Sequence, residues 1–286
     1  MKMKPFFTMS LAVLIALITA SASISAQSYV VVTPSDTQGW TTADTTAGGM
    51  VQFVVDESAP RGMNALRLTT DATTTAKAQY MHAADTQLDE VTDLSYYTKQ
   101  VSASFAEGSA SYQLVVCLEG GTPEACNGFT TLVFEPYQNP TQGPVVNGVW
   151  QQWDVDSGLF WSTRTYDGAG ACDVTAGGGG APFYTLAGLN AVCPNAVVLG
   201  FGVNVGSNNP SYDINVDLVQ FNSTIYDFQL YRVPTTKQEC KGGGWRYLAT
   251  HTGEEFRNQG LCVAYFNHHS LQGGDILIDR DSPSKP

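Results

Sequence analysis

The densest group of residues with recognisable chemistry runs from Trp150 to Asp156 and is followed closely by Trp161. Because side chains alternate along a strand, one face of this stretch would carry Trp150, Gln152, Asp154 and Asp156. An indole ring stacks on the C–H face of a sugar, while neighbouring polar groups bind the sugar hydroxyls. The candidate ligand-binding residues are therefore Trp150, Gln152, Asp154 and Trp161.

The opposite face of the same stretch would carry Val149, Gln151, Trp153 and Val155, which we expect to face the core. A second interpretation of Trp150 remains open, because large aromatic side chains often pack beneath a loop instead of standing in solvent.

Three oxygen-bearing side chains alternate along a second stretch, at Asp213, Asn215 and Asp217. Calcium takes about six to eight oxygen ligands, and three from one strand face would supply part of that set. The sequence therefore suggests a Ca²⁺ site here. A polar outer face without any metal produces the same pattern.

Sequence motifs for catalysis are missing. The chain has no Gly-x-Ser-x-Gly and no His-Glu-x-x-His, and Gly200-Phe201-Gly202 lacks the third glycine of a dinucleotide-binding loop. A glycosidase needs two carboxylates about 5–10 Å apart. If such a pair exists, we expect it among Glu135, Asp154 and Asp156, but no residue is assigned as catalytic.

The charge balance excludes several classes of partner. The 286 residues contain 14 Lys and Arg against 26 Asp and Glu, which gives a formal net charge of −12. A nucleic-acid or anionic-membrane binder needs clustered basic residues, so neither partner is expected.

The N-terminus has the pattern of a secretory signal peptide. Lys2 and Lys4 precede an apolar run over residues 6–18, and small residues continue to Ala26. We expect cleavage near Ala22 or Ala26 and a secreted product. An uncleaved anchor is disfavoured because a membrane span needs about 20 apolar residues, and no later segment qualifies.

The cysteine count is even, which in an oxidising compartment predicts disulfide bonds. Proximity along the chain favours three pairs of neighbours: Cys117 with Cys126, Cys172 with Cys193, and Cys240 with Cys262. A zinc site is disfavoured because the sequence has no Cys-x-x-Cys pair.

Alternation of period two, with β-branched and aromatic enrichment, recurs along the chain between Gly, Pro, Asn and Asp clusters. It predicts strands at 29–33, 50–56, 64–70, 76–82, 94–100, 111–118, 130–135, 149–156, 196–205, 213–221 and 226–231, and one short helix at 184–192. Many short strands with almost no helical period predict an all-β fold, a two-sheet antiparallel β-sandwich of the jelly-roll type.

The composition also divides the chain. After a signal peptide at 1–26 we expect a sandwich domain at 27–233, a Cys- and Gly-rich C-terminal element at 234–270, and a polar tail at 271–286. The C-terminal element is too short to build a core of its own without its disulfide.

The stretches 148–163, 186–194, 215–217 and 226–228 follow one another in an order that resembles a group of secreted bacterial proteins of unassigned function. That group resembles carbohydrate-binding jelly rolls, which implies the fold and, by analogy only, glycan binding. Separately, Cys240-Lys241-Gly242-Gly243-Gly244-Trp245 with Phe256-Arg257-Asn258-Gln259-Gly260-Leu261-Cys262-Val263 is similar to an element at the C-termini of many exported bacterial proteins.

These observations favour an exported, non-catalytic β-sandwich protein that binds a glycan or acts as a cell-surface or extracellular interaction module, with a glycan or a cell-surface polymer as the expected partner. Two alternatives remain open. One is a polysaccharide hydrolase or lyase that uses a carboxylate pair on a concave sheet, and the other is a structural surface protein without a small ligand.

Overall fold

The computed structural model describes residues 27–168, 170, 172–250 and 254–269. The predicted signal peptide, the predicted polar tail and His251 lie outside the described residues. No helix within the described ranges has the length and apolar character needed to cross a bilayer.

The described part of the chain is built mainly from strands. In chain order these are β1 (Ser28–Val32), β2 (Gly49–Val55), β3 (Asn64–Thr70), β4 (Ala78–Gln87), β5 (Leu94–Ser102), β6 (Ser111–Cys117), β7 (Phe129–Phe134), β8 (Trp150–Asp154), β9 (Phe160–Ser162), β10 (Tyr166–Asp167), β11 (Asp173–Val174), β12 (Val197–Val205), β13 (Asp213–Phe221) and β14 (Thr224–Phe228). The helices are α1 (Leu186–Val192) and α2 (Gln259–His269).

Seven strands form the first sheet, called the large sheet below. Its central strand is β13, which pairs with β5 along one edge, and β5 in turn pairs with β8. The other edge of β13 is shared by β3 and β14, with β2 beyond β3 and β1 beyond β14. The β1–β14 pair is parallel and departs from the predicted antiparallel pattern.

Five strands in the order β4-β12-β6-β7-β9 form the second sheet, called the small sheet below. All of its pairs are antiparallel. The register of β12 shifts between Val198 and Gly200 against both of its neighbours, and such irregularities bend a strand locally.

The two sheets bury their inner faces against each other, which confirms the predicted β-sandwich. Tyr96 and Trp153 of the large sheet and Phe134, Phe160 and Phe201 of the small sheet belong to one buried apolar cluster. The indole N–H of Trp153 donates to Oγ1 of Thr98 at 2.7 Å, so this buried polar group has a partner.

The predicted core face of the tryptophan-rich strand is only partly correct. Trp153 and Val155 are fully buried. Val149 precedes the strand and is 49% exposed, so the prediction for this residue is wrong. Gln151 uses its amide to accept from the N–H of Val146 and to donate to the carbonyl of Pro144, which fixes a loop beside the strand.

Both helices are short, and only the first was predicted. The helix α1 begins after Thr185, whose hydroxyl accepts from the N–H of Gly188 at 3.0 Å, a common N-cap. The helix α2 buries only Cys262, so no apolar stripe of helical period marks it in the sequence. The side chain of Asn258, which accepts from the N–H of Leu261, was the available signal for its start.

All three predicted disulfides are present: Cys117–Cys126, Cys172–Cys193 and Cys240–Cys262. The first covers a small apolar cluster that includes Val197 and Leu199 on the outer face of the small sheet. The third belongs to a separate cluster with Leu248 and Phe256 in the C-terminal element. That element meets the sandwich through a bridge between Arg232 and Leu248.

The segment that connects β2 and β3 covers part of the outer face of the large sheet, over β5, β13 and β14. Asp56 at its start binds Nζ of Lys99 at 2.8 Å and accepts from the amide of Asn215 at 2.8 Å. Burial alone would raise the pKa of Asp56, but the hydrogen bonds from Lys99, Ser58 and Asn215 outweigh it and lower the pKa to about 2. The ion pair therefore holds this segment onto the sheet.

The variant Cys172→Ser/Cys193→Ser should destabilise the sandwich by about 3 kcal/mol, because the bridge closes a loop of about 20 residues in the unfolded chain. Urea unfolding followed by tryptophan fluorescence measures the change. The matched control is Cys240→Ser/Cys262→Ser, which opens a closure of nearly equal length, 22 residues against 21. Because its cluster is separate, the sandwich midpoint should not move. An equal shift in both variants would contradict that separation.

The variant Lys99→Met should lower the free energy of unfolding at pH 7 by about 3 kcal/mol, because it leaves the carboxylate of Asp56 buried without its cation. The stabilisation by Asp56 is present above its ordinary pKa of 3.8 and is lost as the pH falls through about 2. The deficit of Lys99→Met should therefore shrink between pH 4 and pH 2. Urea titrations at several pH values measure it, with exposed Lys237→Met as the control. A deficit that is constant with pH would argue against the ion pair.

Candidate functional site

The largest concave surface of the described residues lies on the outer face of the small sheet. It is a groove of about 1170 Å³, above the range of about 300–1000 Å³ that is usual for small-molecule pockets. Its floor is formed by outward-facing side chains of all five strands, among them Met81, Gln113, Leu199, Thr131 and Trp161. A groove that crosses a whole sheet has room for an extended ligand.

The floor is shaped by a glycine in β12, the strand next to the edge strand β4. A Cβ atom at Gly202 would lie 2.3 Å from the carbonyl oxygen of Tyr80 and 2.7 Å from the sulfur of Met81. Only glycine allows the neighbouring strand β4 and its methionine to lie this close. The side chain of Met81 can therefore lie over β12 on the groove floor.

One end of the groove is built around the carboxyl group of Glu135, at the end of β7. The indole N–H of Trp161 donates to Oε2 of Glu135 at 2.8 Å, and the hydroxyl of Tyr137 donates to the same oxygen at 3.4 Å. Burial raises the pKa of Glu135, and the two hydrogen bonds lower it in part. The carboxyl group therefore fixes the orientation of both aromatic side chains.

The adjoining wall comes from the loop that contains Gly178 and Gly179. The amide of Gln138 donates to the carbonyl of Gly179 at 2.7 Å and to the hydroxyl of Tyr137 at 2.7 Å. The other amide atom, Oε1 of Gln138, is buried and has no protein partner among the described residues. Gly178 and Gly179 have φ values of 58° and 94°, which side chains with a Cβ rarely adopt. This wall is therefore ordered by polar contacts with Tyr137 and Gln138.

Amide side chains line the opposite side of the groove. The amide of Asn204 donates to Oε1 of Gln79 at 3.1 Å, and Gln79 donates to the carbonyl of Ala43 at 2.9 Å. This chain of hydrogen bonds connects the floor to the loop at residues 39–44, which lines that side of the groove. Such groups can bind hydroxyls on a ligand.

The predicted ligand-binding residues are divided between the two sheets. Trp161 lies in the groove of the small sheet. Trp150, Gln152 and Asp154 lie on β8, at the edge of the large sheet. The connection from β8 to β9 crosses from the large sheet to the small sheet, and it packs tightly at Gly158, where a Cβ would lie 2.4 Å from the ring of Phe134.

Trp150 is half-buried, and its indole N–H is buried without a partner among the described residues. It lines neither the groove nor the smaller concave surface of about 470 Å³ beside β8, which includes Gln152, Asp154 and Asp156. Its role in ligand binding therefore stays a prediction.

The carboxylates suggested for catalysis are divided between the two sheets in the same way. Asp154 and Asp156 lie close together at the end of β8, where both line the concave surface beside that strand. Burial, with the charge of Asp154 as a further contribution, raises the pKa of Asp156. The N–H of Leu94 donates to Asp156 at 3.1 Å, so this side chain holds two strands together. Glu135 belongs to the other sheet, and the groove lining around it includes one further carboxylate, Asp44.

Asp44 lies in the loop beside the edge strand β4. Glu135 comes directly after β7, and the strands β12 and β6 lie between β4 and β7. Three strand spacings put the two groups on the order of 14 Å apart. That separation exceeds the 5–10 Å or so of glycosidase carboxylate pairs.

The predicted calcium ligands have other partners. Arg67 binds Asp213, and the amide nitrogen of Asn215 donates to Asp56. Asp217 is fully buried and accepts from the N–H of Phe228 at 3.1 Å. Burial, with the charge of Asp227 as a smaller cause, raises its pKa well above the usual value.

Two oxygens of this group, Oδ1 of Asn215 and Oδ2 of Asp217, are buried and have no partner among the described residues. Those residues include no group of three or more His, Cys, Asp or Glu side chains placed to hold a metal. Calcium binding at Asp213, Asn215 and Asp217 therefore stays a prediction without support from the geometry.

Sequence reasoning missed most of the groove. Met81, Gln79 and Asn204 lie on strands that were predicted, but nothing in the pattern distinguishes an outer face that is open from one that is covered. Tyr137 and Gln138 lie in a short 3₁₀ turn after β7. The available signal was the pair Gly200 and Gly202 inside a strand, because interior glycines mark close approach of another backbone or a ligand.

No protein-family model matches the sequence, and a search of curated proteins found no match. Among solved structures, the chain is similar to a family 11 carbohydrate-binding module from Clostridium thermocellum in complex with a β-1,3-1,4-mixed-linked tetrasaccharide, at 12% identity and a TM-score of 0.37, over 64% of this chain and 88% of that one. A family 11 module of a cellulosomal cellulase from the same organism shows 11% identity and a TM-score of 0.36, over 67% and 89%.

A third structure, from work on carbohydrate-binding modules of the β-sandwich superfamily, shows 15% identity and a TM-score of 0.32 over 64% of this chain. The match spans 56% of that protein, little more than half its length. At these identities the likeness concerns the β-sandwich fold alone.

Proposed function

We propose that the groove of the small sheet binds a glycan chain without cleaving it. The observation that carries the proposal is the indole of Trp161, which lines the groove and is held by its N–H on Glu135. A ring fixed at one edge offers its face for stacking at little further cost in conformational entropy. The hydroxyl of Tyr137 and the largely buried amides of Gln79 and Asn204 line the groove, and they are polar groups of the kind that bind sugar hydroxyls.

The carboxyl groups favour binding over hydrolysis. Glu135 is occupied by two hydrogen-bond donors, and the nearest further carboxylate of the described lining, Asp44, lies several strands away. An acid and a nucleophile or base at glycosidase distance are not brought together by these residues.

We also infer that the protein works outside the cytoplasm. Three disulfides join all six cysteines, and such bonds persist in oxidising compartments. A secreted glycan-binding protein would use the signal peptide predicted at residues 1–26.

The variant Trp161→Ala should bind polysaccharide about tenfold more weakly than the wild type, which corresponds to ~1.4 kcal/mol of lost stacking. Affinity electrophoresis in gels that contain a panel of soluble polysaccharides measures the change, and reducing-sugar release is followed in parallel. The matched control is Trp150→Ala, which removes the same ring from the other sheet and should leave the affinity unchanged. Loss of binding in Trp150→Ala alone would move the site to β8, and sugar release by the wild type would refute the non-catalytic proposal.

The variant Glu135→Gln should lose less stability than the wild type as the pH rises. Because the pKa of Glu135 is raised in the folded state, the wild type is most stable below the ordinary pKa of 4.5 and loses stability as the pH rises through the raised value. The stability of Glu135→Gln relative to the wild type should therefore increase over that pH range.

Urea unfolding between pH 3.5 and pH 8 measures this difference, with the exposed residue Glu107→Gln as the control. A difference between Glu135→Gln and wild type that does not vary with pH would show that the carboxyl group is not desolvated as described. In affinity electrophoresis, Glu135→Gln should keep much of the binding, because an amide oxygen still accepts from the indole of Trp161.

A further inference from the structure

The basic side chains of the sandwich are few, and most of them have a carboxylate partner. Residues 27–233 contain six: Arg61, Arg67, Lys77, Lys99, Arg164 and Arg232. Four are in ion pairs: Arg61 with Asp227, Arg67 with Asp213, Lys99 with Asp56, and Arg232 with Glu239.

The two that remain, Lys77 and Arg164, both line the groove. Neither has a carboxylate within ion-pair distance among the residues that the structure describes. In a chain with a net charge of −12, acidic partners are abundant. The two unpaired cations of the sandwich therefore both lie on the groove, the largest of the concave surfaces described above.

Arg164 is held at one corner of the groove, just after the edge strand β9. Its backbone N–H donates to Oγ1 of Thr130 at 3.2 Å, and its carbonyl accepts from the hydroxyl of Ser162 at 2.7 Å. The guanidinium lies 4.8 Å from the centre of the Phe129 ring. A guanidinium that stacks on a ring keeps its N–H edge available for a planar anion, which it binds with two parallel hydrogen bonds.

Lys77 lies at the diagonally opposite corner, just before the other edge strand, β4. Its carbonyl accepts from the N–H of Thr46 at 3.0 Å, which fixes the backbone next to the groove. The two edge strands are separated by four strand spacings, or about 19 Å across the sheet. A single monosaccharide cannot contact both cations, whereas a polymer with repeated anionic groups can.

Neither carboxyl group of the described groove lining is in an ion pair with Lys77 or Arg164. Glu135 is turned toward the indole of Trp161 and the hydroxyl of Tyr137, and its burial favours the neutral form. Asp44 is exposed on the loop beside β4.

We propose that the ligand of the groove is an acidic polysaccharide, whose repeated carboxylate or sulfate groups bind Arg164 and Lys77 while a sugar ring stacks on Trp161. The inference rests on the proposed glycan binding and adds the chemical class of the glycan.

Matched pairs of polymers test the inference. Affinity electrophoresis is run with polygalacturonate and its methyl ester, carboxymethylcellulose and hydroxyethylcellulose, and dextran sulfate and dextran. We expect the wild type to bind the acidic member of at least one pair about tenfold more tightly than the neutral member. This preference should fall with added NaCl, because charge contacts at a solvent-exposed groove are screened.

The variants Arg164→Gln and Lys77→Gln should each weaken binding to the acidic polymer about tenfold and leave binding to the neutral polymer unchanged. The control Lys241→Gln removes the same charge from the C-terminal element, outside the groove, and should behave as the wild type. Circular dichroism verifies that each variant is folded.

Equal binding of acidic and neutral polymers, with Arg164→Gln and Lys77→Gln unchanged and Trp161→Ala weakened, would overturn the acidic ligand and keep the proposed glycan binding. Retention of no polymer by the wild type would refute the proposed function itself. The acidic preference is also overturned if Lys241→Gln lowers binding as much as the groove variants, because the effect would then follow net charge alone.

Discussion

The alternation of side chains along the strands of the small sheet determines which residues pack in the core and which reach the groove. Phe134, Phe160 and Phe201 are packed between the sheets and are almost completely buried. A shift of one residue in any of their strands would exchange the buried and exposed sets, so the register is strongly specified. Because Phe160 must point inward, Trp161 must point outward. The same rule places Gln113 and Met81 on the groove floor.

The two outer faces of the sandwich are covered differently. On the large sheet, the segment after β2 lies over β5 and β13, and Asp56, Lys99 and Asn215 form a largely buried polar network there. Such networks are costly unless they are well paired, and they oppose alternative packings of the segment. Among the described residues, the outer face of the small sheet is covered at one end by the loop that the Cys117–Cys126 bridge closes, and loops at the sheet edges line the rest. Which part of each face is open therefore depends on where the connecting loops lie.

This difference explains how far sequence reasoning could go. All eleven predicted strand positions overlap observed strands, namely β1 to β8 and β12 to β14. They could be predicted because a period-two pattern is a local property of the sequence. The disulfide pairs were predictable because short closures favour neighbours along the chain. The site was not, because Trp150 and Trp161 are close in sequence but the chain changes sheet between them. The positions of Tyr137 and Gln138 depend on loop contacts with Gly179, and loop contacts have no periodic signature.

The carboxyl group in the groove illustrates why residue type alone does not decide between binding and catalysis. A partly buried glutamate with a raised pKa beside a tryptophan has the features of a general acid. Here, however, the carboxyl group accepts from Trp161 and Tyr137, and these two bonds use it as an anchor for the aromatic side chains. A general acid must instead reach the leaving oxygen of the substrate, with a second carboxylate across the scissile bond. The other carboxylate of the described lining is several strands away, so the contacts of Glu135 that the structure shows are those that orient the indole and the phenol. A rigid indole would lose less entropy when a ligand binds, which is what the proposed glycan binding requires.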